Sequence, residues 1–112
     1  MIKKAFRLPK NEIKFLQKKG DLSHSLFFIV KEKENQGKNS KIAVVVSKKI
    51  SKKAVIRNLI RRRTYEAFRI ILKEENLNPK KDFIFIAKKG ILEKDFWEIK
   101  KDLLKTLKNG QI

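Results

Sequence analysis

An α+β fold, a two-layer sandwich of helices on a sheet, is the class that this sequence predicts. Two observations carry that expectation. Apolar runs of strand type, in "SLFFIVKEK", "KIAVVVSKK" and "KDFIFIAKKG", interrupt segments of helical period, so the order reads helix, strand, strand, helix, strand, helix. The chain has 112 residues, 41% of them hydrophobic, with eight phenylalanines, which suits one domain over 1–112 with a modest core. Three strands with helices on one side hide their apolar faces with the fewest layers, around a mostly antiparallel central sheet.

Each element has its own signal. After Pro9, residues 11–19 form a helix with Asn11 as N-cap, Ile13 and Leu16, with Phe15 and Gln17 beside them, near its buried side, and Gly20 as its stop. "SLFFIVKEK" alternates as a strand, placing Phe27 and Ile29 opposite Leu26, Phe28 and Val30. "ENQGKN" reads as a turn that, if it simply reverses the chain, pairs this strand antiparallel with "KIAVVVSKK", whose unbroken Ile42 to Val46 run reads as a central strand; the order of the strands is not readable from the sequence. From Ser51 or Ala54 to Glu75 a long helix carries Ile56, Ile60, Ala67 and Ile71 as one stripe, flanked by Leu59 and Ile70. Asn58, Arg61, Arg62, Tyr65 and Arg69 lie opposite. Asn78 and Pro79 end that pattern, "KDFIFIAKKG" supplies another strand, and Phe96, Ile99, Leu103 and Leu107 mark a final helix. A further short strand near residues 5–8 completes the expectation.

Charge narrows the function. Thirty Lys and Arg against twelve Asp and Glu give a formal +18, a field that works against a compact isolated chain and suits a polyanion. Nucleic acid is the first reading, and the charge is concentrated in "SKKISKKAVIRNLIRRR". Arg57, Arg61, Arg62 and Arg69 can fork onto phosphates, Lys48, Lys49, Lys52 and Lys53 act as mobile point charges, and Asn58 adds a neutral donor and acceptor. Tyr65 either rests on the helix surface or stacks on a nucleotide. Positive charge at a helix N-terminus opposes the macrodipole, and a bound phosphate reconciles the two.

Chemistry by the protein itself finds little support. The chain has no cysteine and one histidine, His24, in a turn or edge position, and no carboxylates recur at a catalytic or metal-binding spacing. Glu66, the acid within the basic helix, is four residues from Arg62 and is expected to orient it. The glycines stand singly at element ends and build no phosphate loop. The longest apolar stretches, "LFFIV" and "IAVVV", fall far short of a membrane span, and no signal segment follows the basic start, so the cytoplasm is the expected location.

"SKKISKKAVIRNLIRRRTYEAFR" resembles the signature region of bacterial ribonuclease P protein subunits, through Ser47, Lys48, Lys49, Lys53, Ala54, Val55, Arg57, Asn58, Ile60, Arg62, Glu66, Ala67, Phe68 and Arg69. "DFIFIAKKG" and "RLPKNEIKFLQKKG" are similar to two further segments of that family, so the likeness covers nearly the whole chain. The resemblance implies a fold shared with a ribosomal-protein domain, including a left-handed crossover between parallel strands against the usual rule. It also implies a division of labour in which a catalytic RNA subunit, with magnesium held mainly by RNA and substrate, removes the 5′ leader of precursor transfer RNA. The protein then has no catalytic residue and no metal site of its own. Its signature helix faces the catalytic RNA, and a cleft between the first helix and the sheet faces the leader, with Ile13, Phe15, Gln17, Phe27 and Phe28 as candidates. Leu59 stands where the family usually has arginine, and Ile13 and Gln17 stand where it usually has aromatics. A structural RNA-binding protein of the ribosome is the competing reading.

Overall fold

The computed structural model describes residues 7–35, 40–77 and 80–109. Its elements are α1 (Lys10–Lys19), β1 (Asp21–His24), β2 (Phe28–Glu34), β3 (Lys41–Val45), α2 (Ala54–Glu74), β4 (Lys81–Ala87) and α3 (Phe96–Asn109). The predicted turn residues 36–39 and the helix-ending Asn78 and Pro79 lie outside the described residues, as do the first two of the short strand expected at 5–8.

The sheet order is β1-β2-β4-β3. β2 pairs antiparallel with β1 and β4, while β3 runs parallel to β4. The expected hairpin of "SLFFIVKEK" with "KIAVVVSKK" is therefore corrected, because β4 lies between them. The reason is in the side chains. β4 is apolar on both faces, sending Phe83, Phe85 and Ala87 into one core cluster and Ile84 and Ile86 into another. Such a strand needs cover on both faces and neighbours on both edges. β3 instead lies beyond β4 from β2, with an isolated bridge from Arg7 to Ile42 on its outer edge.

Helices also occupy both faces, not one. The larger cluster joins Phe28, Val30, Ile42, Phe83 and Phe85 to Ile60, Ala67, Phe68 and Ile71 of α2 and Ile99, Leu103 and Leu107 of α3. The smaller one joins Ala43 and Ile84 to Leu16 of α1, with Ile13 against it. Pro9, not Asn11, occupies the N-cap of α1, and its carbonyl accepts the Ile13 N–H at 3.0 Å. Gly20 ends the helix for a steric reason: a Cβ there would lie 2.6 Å from the Leu16 carbonyl oxygen. β1 had no signal in the sequence, since its four residues are all exposed and do not alternate.

The hand of the β3–α2–β4 crossover follows from one hydrogen bond. Ile42 turns its side chain toward α2 and its carbonyl to the Leu8 N–H at 3.0 Å, away from β4. In a strand of L-residues running upward with a side chain toward the viewer, that residue's N–H and C=O point right. Leu8 therefore lies right of β3 and β4 left, with α2 in front, so the crossover is left-handed, opposite to the usual rule.

A buried carboxylate ties α3 to the chain ahead of β2. Asp102 accepts from the Ser25 hydroxyl at 2.8 Å and from the N–H groups of Leu26 and Phe27, both at 3.0 Å. At the start of α3, Asp95 and Glu98 cap each other: the Glu98 N–H donates to Asp95 Oδ1 at 2.9 Å and the Asp95 N–H to Glu98 Oε2 at 3.1 Å. Asp102→Ala removes the acceptor shared by three part-buried donors and should cost about 2 kcal/mol of stability in urea unfolding. A loss under about 1 kcal/mol would show that the 25–28 segment holds its shape without the carboxylate.

Candidate nucleic-acid interface

The segment between β3 and α2 is built to present charge. Buried Ile50 anchors it, and its N–H donates to the Ser47 carbonyl at 3.0 Å. Arg57 reaches back from the first turns of α2 and donates to the carbonyls of Ser51 and Lys52, each at 3.0 Å. Lys48, Lys49, Lys52 and Lys53 are exposed around this frame, as are Asn58 and Arg62 on α2. None of the four lysines, nor Arg62, has an ion-pair partner among the described residues.

Helix α2 starts without a side-chain cap and with no acid in its first turn. Its free N–H groups and the lysines ahead of it therefore point positive potential the same way. That arrangement disfavours the isolated fold and fits a phosphate.

Farther along α2, basic and polar residues turn structural. Glu66 binds Arg69 at 2.8 Å, not Arg62 as the four-residue spacing had suggested. The Arg69 hydrogen bond, outweighing partial burial, holds the Glu66 carboxyl below its ordinary value, and Arg69 is correspondingly raised. Arg63 donates to the Lys94 carbonyl at 3.0 Å and so ties α2 to the approach to α3. Tyr65, left open between two roles, packs against the larger core, and its hydroxyl accepts the Val44 N–H at 3.3 Å on the outer edge of β3. Arg61 is held by the Asn58 side-chain oxygen, which groups those two on the exposed face.

On the opposite side of the sheet, α1 and β2 form a second surface. Phe15 is 53% exposed, with the Lys33 ammonium 4.2 Å from its ring centroid. Lys31 donates to the Gln17 carbonyl at 2.6 Å. Ile13 is half-buried against the smaller cluster, and Gln17 is exposed. Phe28 is corrected from a leader candidate to a core residue, since it is wholly buried edge-on to Phe85 at 5.4 Å. Phe27 lies outside this surface, against the α2 and α3 cluster, with Lys94 5.9 Å from its ring. Lys31 and Lys33 were missed in the sequence. Their signal was the alternation in "VKEKE", which puts both on one face of β2.

The family model for ribonuclease P matches residues 2–111. The chain belongs to the ribonuclease P protein family. It is 33% identical to the ribonuclease P protein component of Listeria innocua, over 99% of this chain and 92% of that one. It is 38% identical to that of Bacillus cereus, over 97% and 94%. Among solved structures, it superposes on a Staphylococcus aureus RNase P protein, a mutant with defective mRNA degradation activity, with TM-score 0.74 and 30% identity over 96% of this chain and 90% of that one. The RNase P protein of Thermotoga maritima gives TM-score 0.74 at 25% identity over 92% and 96%. Membership of that family supports a role in the 5′ processing of transfer RNA, and the ribosomal alternative is not favoured.

The Glu66–Arg69 pair makes a pH prediction with a definite sign. A carboxyl depressed on folding adds stability above its unfolded value, and that stability is lost as pH falls through the folded value. Glu66→Gln should therefore lower stability near neutrality by about 0.5 kcal/mol or less, this being a screened surface pair. The stability curves of the two proteins should converge below the ordinary value of 4.5. Curves that stay parallel through acid would assign the effect to something other than this pair.

Proposed function

We propose that this chain grips the catalytic RNA of ribonuclease P through the uncapped start of α2 and the lysines ahead of it, and holds the precursor transfer RNA leader against α1 and β2. The observation that carries the first half is the absence of ion-pair partners for Lys48, Lys49, Lys52, Lys53 and Arg62 among the described residues, around a helix N-terminus with no acid. Every such cation that meets a phosphate releases a counterion, so the contact is strong at low salt and reads little sequence. Arg57, Asn58 and Arg61 complete that face, while Tyr65 supports it from within the fold and Arg69 is held on the helix surface by Glu66.

The second half rests on Phe15 and Lys33. An exposed ring beside an ammonium offers a stacking face for an unpaired base and a charge for its phosphate, with Lys31, Ile13 and Gln17 lining the same surface. Holding the leader there limits the poses open to the scissile bond, which lowers the entropic part of the barrier without any protein group touching the reacting phosphate.

Magnesium belongs to the RNA and substrate in this reading. Among the described residues no three His, Cys, Asp or Glu side chains are grouped to hold a metal ion. The metal supplies charge neutralisation and an activated water for phosphodiester hydrolysis, and the protein's own residues bind and orient. No helix among the described residues is long and apolar enough to cross a membrane. The cytoplasm, where transfer RNA is made and trimmed in a bacterium, is the proposed location.

Two measurements test the two halves separately. Lys49→Ala, Lys52→Ala and Arg62→Ala combined should leave the circular dichroism native and make the slope of log affinity for the catalytic RNA against log salt less negative by about 2 to 3. An unchanged slope would overturn the α2 assignment. For the leader, single-turnover cleavage of precursors with growing leaders, at matched magnesium, should show a benefit from the protein that rises over the first nucleotides and then levels. Phe15→Ala should remove about 1–3 kcal/mol of that benefit. An equal benefit for leaderless transfer RNA, or cleavage by the protein with no RNA subunit, would refute the division of labour.

A further inference from the structure

The sheet has a basic end. Phe28 lies opposite Ala87, His24 opposite Ile29 and Val45 opposite Ile86, so the ends of β1, β3 and β4 and the start of β2 all fall there. Segments 46–53 and 88–95 leave from that end, with seven lysines against two acids, Glu93 and Asp95. Ion pairs gather elsewhere. Lys41 meets Glu12 and Lys81 meets Glu32 toward the opposite end of the sheet, and Lys100 and Lys108 meet Glu74 and Glu75 at the end of α2.

Beside the start of β2 at the same end, Leu26 and Phe27 meet Glu98, Lys101, Asp102 and Lys105 of α3 around a notch of about 200 Å³. Small-molecule pockets run to about 300–1,000 Å³, so this one suits a single unit of a polymer. Leu26 is apolar yet 70% exposed at its rim. Lys101 and Lys105, one helical turn apart, are exposed and have no ion-pair partner among the described residues. The acids of the notch are already engaged. Asp102 is buried and takes three donors, and Glu98 takes the Asp95 N–H.

We infer, on the proposed contact at the start of α2, that the catalytic RNA continues across this end of the sheet to α3, where the Leu26 notch takes one unpaired nucleotide and Lys101 and Lys105 its flanking phosphates. The crossing is short. Neighbouring strands lie about 4.8 Å apart, so the end of β3 and the start of β2, with β4 between them, are about 10 Å apart. Exposed Lys89, just after β4, stands between the two. An RNA strand therefore meets a cation at each step, from the lysines ahead of α2 to those of α3. The apolar rim suits the base or ribose of a splayed nucleotide, while the lysines hold phosphate without choosing a sequence. An acidic protein also suits two lysines beside an apolar notch, but continuity with the α2 segment favours the polyanion seated there.

Lys101→Ala combined with Lys105→Ala should keep the circular dichroism native and make the slope of log affinity for the catalytic RNA against log salt less negative by about 1.4 to 1.8. Lys81→Ala combined with Lys108→Ala removes the same charge from paired lysines and should change that slope by less than about 0.5. Equal changes in the two doubles would reduce the effect to net charge and overturn the inference. Leu26→Ala keeps the backbone N–H that Asp102 accepts, and should weaken binding about fivefold at an unchanged slope. The chain has no cysteine, so a photoreactive group can be placed on Leu26→Cys alone. It should crosslink to the catalytic RNA with no precursor present, and the same group on Glu34→Cys, exposed at the far end of β2, should not. The variant lacking Lys49, Lys52 and Arg62 reads the α2 contact separately. If it flattens the slope while the Lys101 and Lys105 double does not, the α3 contact is overturned, the notch falls to another anion such as an acidic protein, and the α2 contact stands. If it leaves the slope unchanged, the α2 contact fails and the continuity drawn from it fails too.

Discussion

Everything in this fold is arranged around the apolar demand of β4. Its seven residues send Phe83, Phe85 and Ala87 to one side and Ile84 and Ile86 to the other. A strand with two apolar faces is stable only between two layers and two neighbours, which β2 and β3 supply at its edges. The layers follow: α2 and α3 cover the phenylalanine side, and α1 the isoleucine side. Because β3 is parallel to β4, the chain must cross the sheet between them, and α2 is that crossing. The long helix is thereby pinned along one stripe, Ile60, Thr64, Ala67, Phe68 and Ile71, and its remaining surface is left to carry charge.

That charge is graded along α2, and the grading separates structure from function. Toward the C-terminal end each acid has a cation: Glu66 with Arg69, Glu74 with Lys100 and Glu75 with Lys108. These exposed pairs contribute little individually, but they relieve repulsion where α2 meets α3. At the N-terminal end the first turn has no acid, and the macrodipole adds to the lysines instead of offsetting them. Folding alone gives no reason for the asymmetry. A polyanion bound at that end does.

Much of this was legible in the sequence because it depends on local periodicity. The helices α1, α2 and α3 and the strand β4 follow from apolar spacing, Gly20 marks a real stop, and the basic face of α2 is visible on a helical wheel. What was not legible depends on distant partners. β1 is held by β2 and exposed throughout, so its four residues carry no pattern. Strand order was not readable: a turn between β2 and β3 allowed a hairpin, whereas the deciding fact was the two-sided burial of β4. Tyr65 lies on the polar side of the wheel yet reaches the β3 edge to accept the Val44 N–H, a partner 21 residues away in sequence. Glu66 had arginines at three and four residues, and spacing alone could not choose between them. The left-handed crossover ran against the general rule and was expected only through the family resemblance.

The sheet order sets how the three surfaces relate. The basic segment follows β3 at one edge, and β1 forms the other, with β2 and β4 between them. Phe15 and Lys33 sit on the α1 face in the region of β2, away from the α2 layer. Catalytic RNA at the start of α2 and an extended leader along α1 and β2 therefore approach from different sides of one thin sheet. That separation lets a small domain touch both without the two polyanions sharing the same lysines.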